Sequence, residues 1–303
     1  MKKLFSLLAL GLISTFCLTG CNDSVSTSLD KNDVTLKNLL DIEFTKVISY
    51  NEYSKYCAYD AINKAFANAK FRISFIGSGM NLSANAIASV DAKTGERIGA
   101  CKATLGNTYG AISGLTGKQM TYIRGSKSYS EFNFTLFYQD IVNGTGKHTT
   151  QYAGKFYMDI PAKDEKGVGS FFGNNAAENP EFVNPYFFID TLKENGLISD
   201  NETVIKKARS EGIDYYRVEF TTSFLDPLGI QECEFTLAMN GKKVYGMAIQ
   251  VKYTMDGKTS FYSTIHMRPF TGTYKDVPTS FSGYDMSYQE YLNGIAEAAK
   301  KMV

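Results

Sequence analysis

The chain of 303 residues is 44% hydrophobic and 21% charged, with 32 Lys and Arg against 31 Asp and Glu. That balance excludes a disordered or low-complexity chain, and without a basic run it offers nucleic acid no electrostatic footing. Two histidines, His148 and His266, are too few for most histidine-based metal or triad chemistry.

Lys2 and Lys3 form a short positive start, followed by the uncharged apolar stretch from Leu4 to Leu18. About fifteen residues fall short of the roughly twenty that span a bilayer, so the stretch reads as a secretory signal. It closes on Leu18-Thr19-Gly20-Cys21, which resembles the bacterial lipobox. There a thiol carries diacylglycerol, and small residues before it fit the peptidase. Lipidation of Cys21 is therefore expected, with residues 1–20 removed as a signal peptide. Several acyl chains on one residue satisfy the two-anchor requirement for stable attachment. The protein is expected on the periplasmic or extracellular face of the cell envelope, lipid-anchored to the membrane.

Residues 21–37 are rich in Ser, Thr, Asp and Asn and read as a tether, and 38–303 as one domain. Apolar residues at steps of three and one, Ala58, Ala61, Ile62, Ala65, Phe66 and Ala69, predict a helix over 51–69. Candidate strands follow at 71–82, 84–91, 96–104, 119–124 and 127–138, and again at Lys155 to Ile160. Residues 162–184 read as loop. Asn184-Pro185 opens a short helix that Gly196 ends, and Ser199-Asp200-Asn201-Glu202 caps a second that ends at Gly212.

Tyr216, Val218, Phe220, Thr222 and Phe224 then alternate with polar residues as a half-buried strand. Residues 231–267 read as a three-stranded meander turning at Asn240-Gly241 and Asp256-Gly257. Burial of one common odd-numbered face predicts a three-residue loop at each turn. Gly241 would sit in the left-handed region, and Val251 would lie opposite Phe261 and Met247 opposite Ile265. The small residues Val244, Gly246 and Ala248 fall on the other face, where a second layer can approach closely. The C-terminal helix starts at the capping box Ser287-x-x-Glu290. It presents Tyr288, Tyr291, Leu292, Ile295, Ala299 and Met302 on one face for docking.

Cys57, Cys101 and Cys233 leave an odd count beside Cys21, and buried thiols or one disulfide are both open. No C-x-x-C, G-x-S-x-G or H-E-x-x-H is present. Nothing brings Asp159 and Glu219 together as a carboxylate pair. The chain thus reads as a non-enzyme, with no catalytic residue, cofactor or metal site.

A lipobox and tether, an amphipathic helix, antiparallel strands, a helical insertion at 184–210, Gly212-Ile213-Asp214-Tyr215-Tyr216-Arg217-Val218, the Asn-Gly meander and Val277-Pro278 closing the sheet follow in order. This order resembles the outer-membrane lipoprotein carrier family (LolA) and its lipid-anchored LppX/LprG-type relatives, over about residues 51–282. The resemblance implies an α+β domain in which one strongly curved antiparallel β-sheet, an unclosed half-barrel, carries helices around an apolar cavity for lipid chains. The C-terminal helix is an addition, and no family functional residue maps onto this chain. The alternating strands supply the candidates for the cavity lining: Val218, Phe220, Phe235, Leu237, Tyr245, Met247, Ile249, Val251, Phe261 and Ile265. The implied partners are the membrane, through Cys21, and a lipid or acylated ligand. A surface lipoprotein with a filled core and a protein or glycan partner is the alternative.

Overall fold

The computed structural model describes residues 42–57, 62, 65, 66, 68–77, 80–109, 113–140, 146–159, 203–221, 230–255 and 259–300. Most of them belong to one large, mainly antiparallel sheet. Its strands are β1 (Lys46–Ile48), β2 (Ala69–Gly77), β3 (Met80–Val90), β4 (Arg97–Tyr109), β5 (Ser113–Arg124), β6 (Lys127–Asp140) and β7 (Gly146–Asp159). They continue with β8 (Thr203–Ser210), β9 (Ile213–Phe220), β10 (Ile230–Asn240), β11 (Lys243–Met255), β12 (Thr259–Pro269) and β13 (Met286–Ser287). Two helices are described, α1 (Tyr50–Tyr56) and α2 (Tyr288–Lys300).

The order across the 13-stranded sheet is β1-β8-β9-β10-β11-β12-β2-β3-β4-β5-β6-β7-β13. Every neighbouring pair is antiparallel except β7 with β13. Two runs of hairpins, β2 to β7 and β8 to β12, meet where β12 pairs with β2, Met267 opposite Phe71.

Alternation gives the sheet two faces. One ladder row crosses from Tyr216 through Leu237, Met247, Met267, Phe71, Ala86, Cys101, Thr121 and Ser130 to Phe156. Both helices lie on this face, at its two ends. The α1 residue Tyr53 meets the Tyr216 ring edge-on at 5.9 Å. The α2 residue Tyr291 stacks on Phe156 at 4.2 Å and meets Phe132 edge-on at 4.8 Å.

Each helix begins on a side-chain cap. Ser49 Oγ accepts the Glu52 N–H at 3.2 Å. At α2, Ser287 Oγ accepts the Glu290 N–H at 3.3 Å, and Glu290 Oε2 accepts the Ser287 N–H at 2.7 Å, the reciprocal box that the sequence predicts.

Several expectations need correction. The helix expected over 51–69 gives way to strand by Ala69, although Phe66 still donates a helical bond to the Ile62 carbonyl at 3.0 Å. The capped helix expected to end at Gly212 is instead strand β8. Ile205 and Ala208, three apart, mimic a helical stripe but serve opposite faces of the sheet, Ile205 beside Val218 and Ala208 beside Tyr215. Glu211 and Gly212, with φ of 51° and 80°, form a two-residue turn that suits the twist of a hairpin.

The first meander turn also differs. Gly241 is left-handed at φ 63°, as expected, but Asn240 pairs directly with Lys243 and a bulge follows between the Ala238 and Met239 pairs. The bulge restores odd opposite odd, so Leu237 faces Met247 and Phe235 faces Ile249. At the second turn Met255 pairs with Thr259, two positions off the expected register, so Val251 faces Ser263. Residues 256–258 of that loop, the insertion at 161–202, the leader with Cys21, and Ala299 and Met302 as side chains lie outside what is described.

Val277-Pro278 does not close the sheet as a strand. Residues 270–285 cross the face opposite the helices, where Phe270, Tyr274, Val277 and Phe281 pack on Ile87, Ala100, Met120 and Tyr122. Phe281 stacks on Tyr129 at 3.8 Å. The buried Ser89 Oγ donates to the Ile98 carbonyl and accepts the Tyr274 N–H, both at 2.9 Å.

Candidate functional site

The helix-bearing face is bulky at its ends and small in its middle. The row Ile249, Ile265, Ile73, Ala84, Ala103, Gln119, Phe132 and Gly154 runs from branched aliphatics through two alanines to aromatics. The adjacent row has Met267 and Phe71 on one side, then Ala86, Cys101, Thr121 and Ser130, then Phe156. Together with Ala88 and Gly99 these positions make a buried stripe of small side chains along β3 and β4. From Ala84 to Ala88 it is about 14 Å long at roughly 3.4 Å per residue.

Beside the stripe, on β5 and β6, the face turns polar. Gln119 Nε2 donates to Thr121 Oγ1 at 2.6 Å, and Thr121 Oγ1 shares a hydrogen bond with Ser130 Oγ at 2.9 Å. Gln119 is buried, and its Oε1 accepts no hydrogen bond among the described residues. A buried amide oxygen without a donor costs about 1–3 kcal/mol. An apolar floor with a few convergent polar groups is the usual make-up of a small-molecule site.

Most sequence candidates gather on this face, toward the α1 end. Val218, Phe220, Phe235, Leu237, Met247 and Ile265 are buried in one apolar cluster with Tyr53, Ile62 and Phe66, and half-buried Ile249 and Val251 pack against it. Phe261 is placed by its backbone, opposite Tyr253 and Gly77. Tyr245 leaves the group. The bulge gives its place beside Met239 to Val244, which is buried, and turns Tyr245 to the opposite face, where it is 39% exposed. The Arg268 guanidinium lies over its ring at 4.9 Å. The stripe of small residues at β3 and β4 escaped sequence reasoning, because Ala84, Ala86 and Ala103 read only as weak strand residues.

The histidines and the two carboxylates weighed in the sequence do not converge. His148 is exposed on β7, and half-buried His266 is on β12, six strands away. Asp159 pairs with Lys127 and Glu219 with Lys206, on different strands. Among the described residues no three of His, Cys, Asp and Glu are grouped to hold a metal ion. Cys57, Cys101 and Cys233 are thiols, not disulfides. Desolvation pushes the Cys233 thiol up to about 12, and burial pushes Cys57 up as well.

No family model and no curated protein matches this chain. Among solved structures, a porin-like protein from Bacteroides uniformis aligns with 68% of this chain and 98% of its own, at 8% identity and a TM-score of 0.19. So low a score carries no argument about fold or function. Among the described residues no helix is long and apolar enough to cross a membrane.

Proposed function

We propose that the protein is a lipid-anchored lipoprotein of the bacterial envelope that binds a lipid or other hydrophobic ligand on the helix-bearing face of its sheet. In this reading the sheet is a strongly curved, unclosed half-barrel of an α+β domain, as in the carriers that the sequence resembles. Cys21 carries the anchor. The observation that supports it is the stripe of small side chains Ala84, Ala86, Ala88 and Ala103 between bulky flanks, ending at the Gln119, Thr121 and Ser130 group. In this reading an acyl chain takes the place of the residues that cover these short side chains, and the Gln119 oxygen accepts a donor from a headgroup.

A second reading, an interaction lipoprotein with a filled core, is favoured by the burial of the same alanines, 1–4% exposed under the chain's own residues. One experiment separates the two. The protein is purified from its native envelope without detergent, and its mass is compared under native and denaturing conditions. The carrier reading expects a stoichiometric, extractable lipid, lost in the paired variant Ala84→Leu and Ala103→Leu. A ligand-free protein that also fails to take up fluorescent fatty acid overturns that reading in favour of the filled core.

A further inference from the structure

One buried polar group on the helix-bearing face is left incomplete by the fold. Gln119, 3% exposed, is the ladder partner of Ala103, and Thr121 is that of Cys101, so both stand at the border of the small-residue stripe. Thr121 Oγ1 accepts the Gln119 amide N–H and shares a second hydrogen bond with Ser130 Oγ. Either direction of that second bond leaves one hydroxyl proton of the pair uncommitted among the described residues. The Gln119 Oε1 likewise accepts nothing there. Turning the amide over would leave both of its N–H protons unpaired instead.

The group lies where two apolar clusters meet. On one side Ala84, Ala86, Ala103 and Leu105 pack in the cluster that holds Tyr53 of α1. On the other, Phe132, Phe134 and Phe156 pack in the cluster that holds Tyr291 of α2. Half-buried Leu115 packs against both. A lipid laid across this seam meets hydrocarbon on either side and one polar station between them.

The surroundings also decide the kind of headgroup. From β12 to β7, the ladder row of Thr121, that of Gln119 and the two rows flanking them contain no Lys, Arg, Asp or Glu. An ionised carboxylate or phosphate buried on such a face bears a large desolvation penalty. A carboxylate is also acceptor-only and cannot complete the Gln119 oxygen, whereas a hydroxyl both donates and accepts.

Resting on the lipid-binding reading above, we propose that the ligand is an uncharged lipid with a hydroxylated headgroup, a glycerol monoester being the simplest. One hydroxyl donates to Gln119 Oε1, and a neighbouring one accepts the spare proton of the Thr121–Ser130 pair. The acyl chain lies along Ala84, Ala86 and Ala103.

The test uses the full chain with Cys21→Ser and three radiolabelled dodecanoyl probes at pH 7.5: the glycerol monoester, the methyl ester and the free acid. Equilibrium dialysis reads their affinities. The monoester should bind about tenfold more tightly than either of the others, the difference that one completed buried acceptor makes. Gln119→Leu should bring the monoester down to the level of the methyl ester and leave the methyl ester unchanged. Thermal melts verify the fold of the variant, and the comparison of the three probes on unaltered Gln119 stands without it. Equal affinity for monoester and methyl ester, tighter binding of the free acid than of the monoester, or an undiminished preference in a folded Gln119→Leu variant overturns the hydroxyl assignment and leaves the lipid-binding reading in place. Failure of all three probes to bind overturns that reading itself, and the assignment with it.

Discussion

The hydroxyl of Tyr152, on β7, donates a hydrogen bond to the main-chain carbonyl of Tyr291 at 3.2 Å and so holds α2 onto the sheet. A Cβ placed on Gly294 would collide with that hydroxyl. Inside a helix Gly→Ala ordinarily stabilises by up to about 1 kcal/mol. Here the sign should reverse, and Gly294→Ala should cost about 1–3 kcal/mol by overpacking. Tyr152→Phe keeps the ring contacts and should cost only about 0.5–1.5 kcal/mol. Urea unfolding of both variants checks this, and a stabilised Gly294→Ala would show that α2 is not seated as described.

Ser89 ties the crossing segment 270–285 to the sheet through the Tyr274 N–H. Ser89→Ala removes that acceptor and the donor to the Ile98 carbonyl from a fully buried site. A loss of about 1–3 kcal/mol is expected, with faster amide exchange confined to the crossing segment and its neighbours. Unchanged exchange there would mean that the aromatic contacts of Phe281 hold the segment without the pin.

Cys57 and Cys233 should resist thiol reagents in the folded protein at pH 8, because desolvation keeps both protonated. All three domain thiols should react in urea without reductant. A mass two protons lighter than the reduced chain would contradict the thiol assignment.

His266 is held below its ordinary 6.5 by burial first and then by Arg72 and Arg268. The unfolded chain therefore takes up the proton at higher pH than the folded one. The stability that depends on neutral His266 is complete above 6.5 and declines as pH falls from there toward the lowered value. The urea midpoint of the wild type should fall between pH 7.5 and 5.5, and His266→Gln should flatten that slope. Identical slopes in wild type and variant would exclude His266 as the source.

Much of the β architecture was legible from alternation. Tyr216, Val218 and Phe220 on β9, and Phe235 and Leu237 on β10, share one buried face as their spacing predicts. The α2 cap was legible too, because Ser287 and Glu290 satisfy each other within one turn. Two local signals misled. Ile205 and Ala208 mimic a helical period, since a strand buried on both faces loses its strict alternation of two. Tyr245 keeps the odd-numbered pattern of its strand, but a bulge placed by turn geometry reverses which way it faces.

The amino-acid sequence by itself determined the pattern within each strand, the caps and the left-handed glycine turns, because these depend on neighbours a few residues apart. Which strands would lie side by side depended on contacts between distant segments. Met267 and Phe71 are partners across nearly two hundred residues, and only their pairing joins the two runs of hairpins into one sheet. The same pairing sets Ala84 and Ala103 in one row between Ile265 and Phe132. Side-chain size is a property of a residue, but a row of small residues across strands is a property of register. Register across so long a loop is decided by burial of the whole face at once.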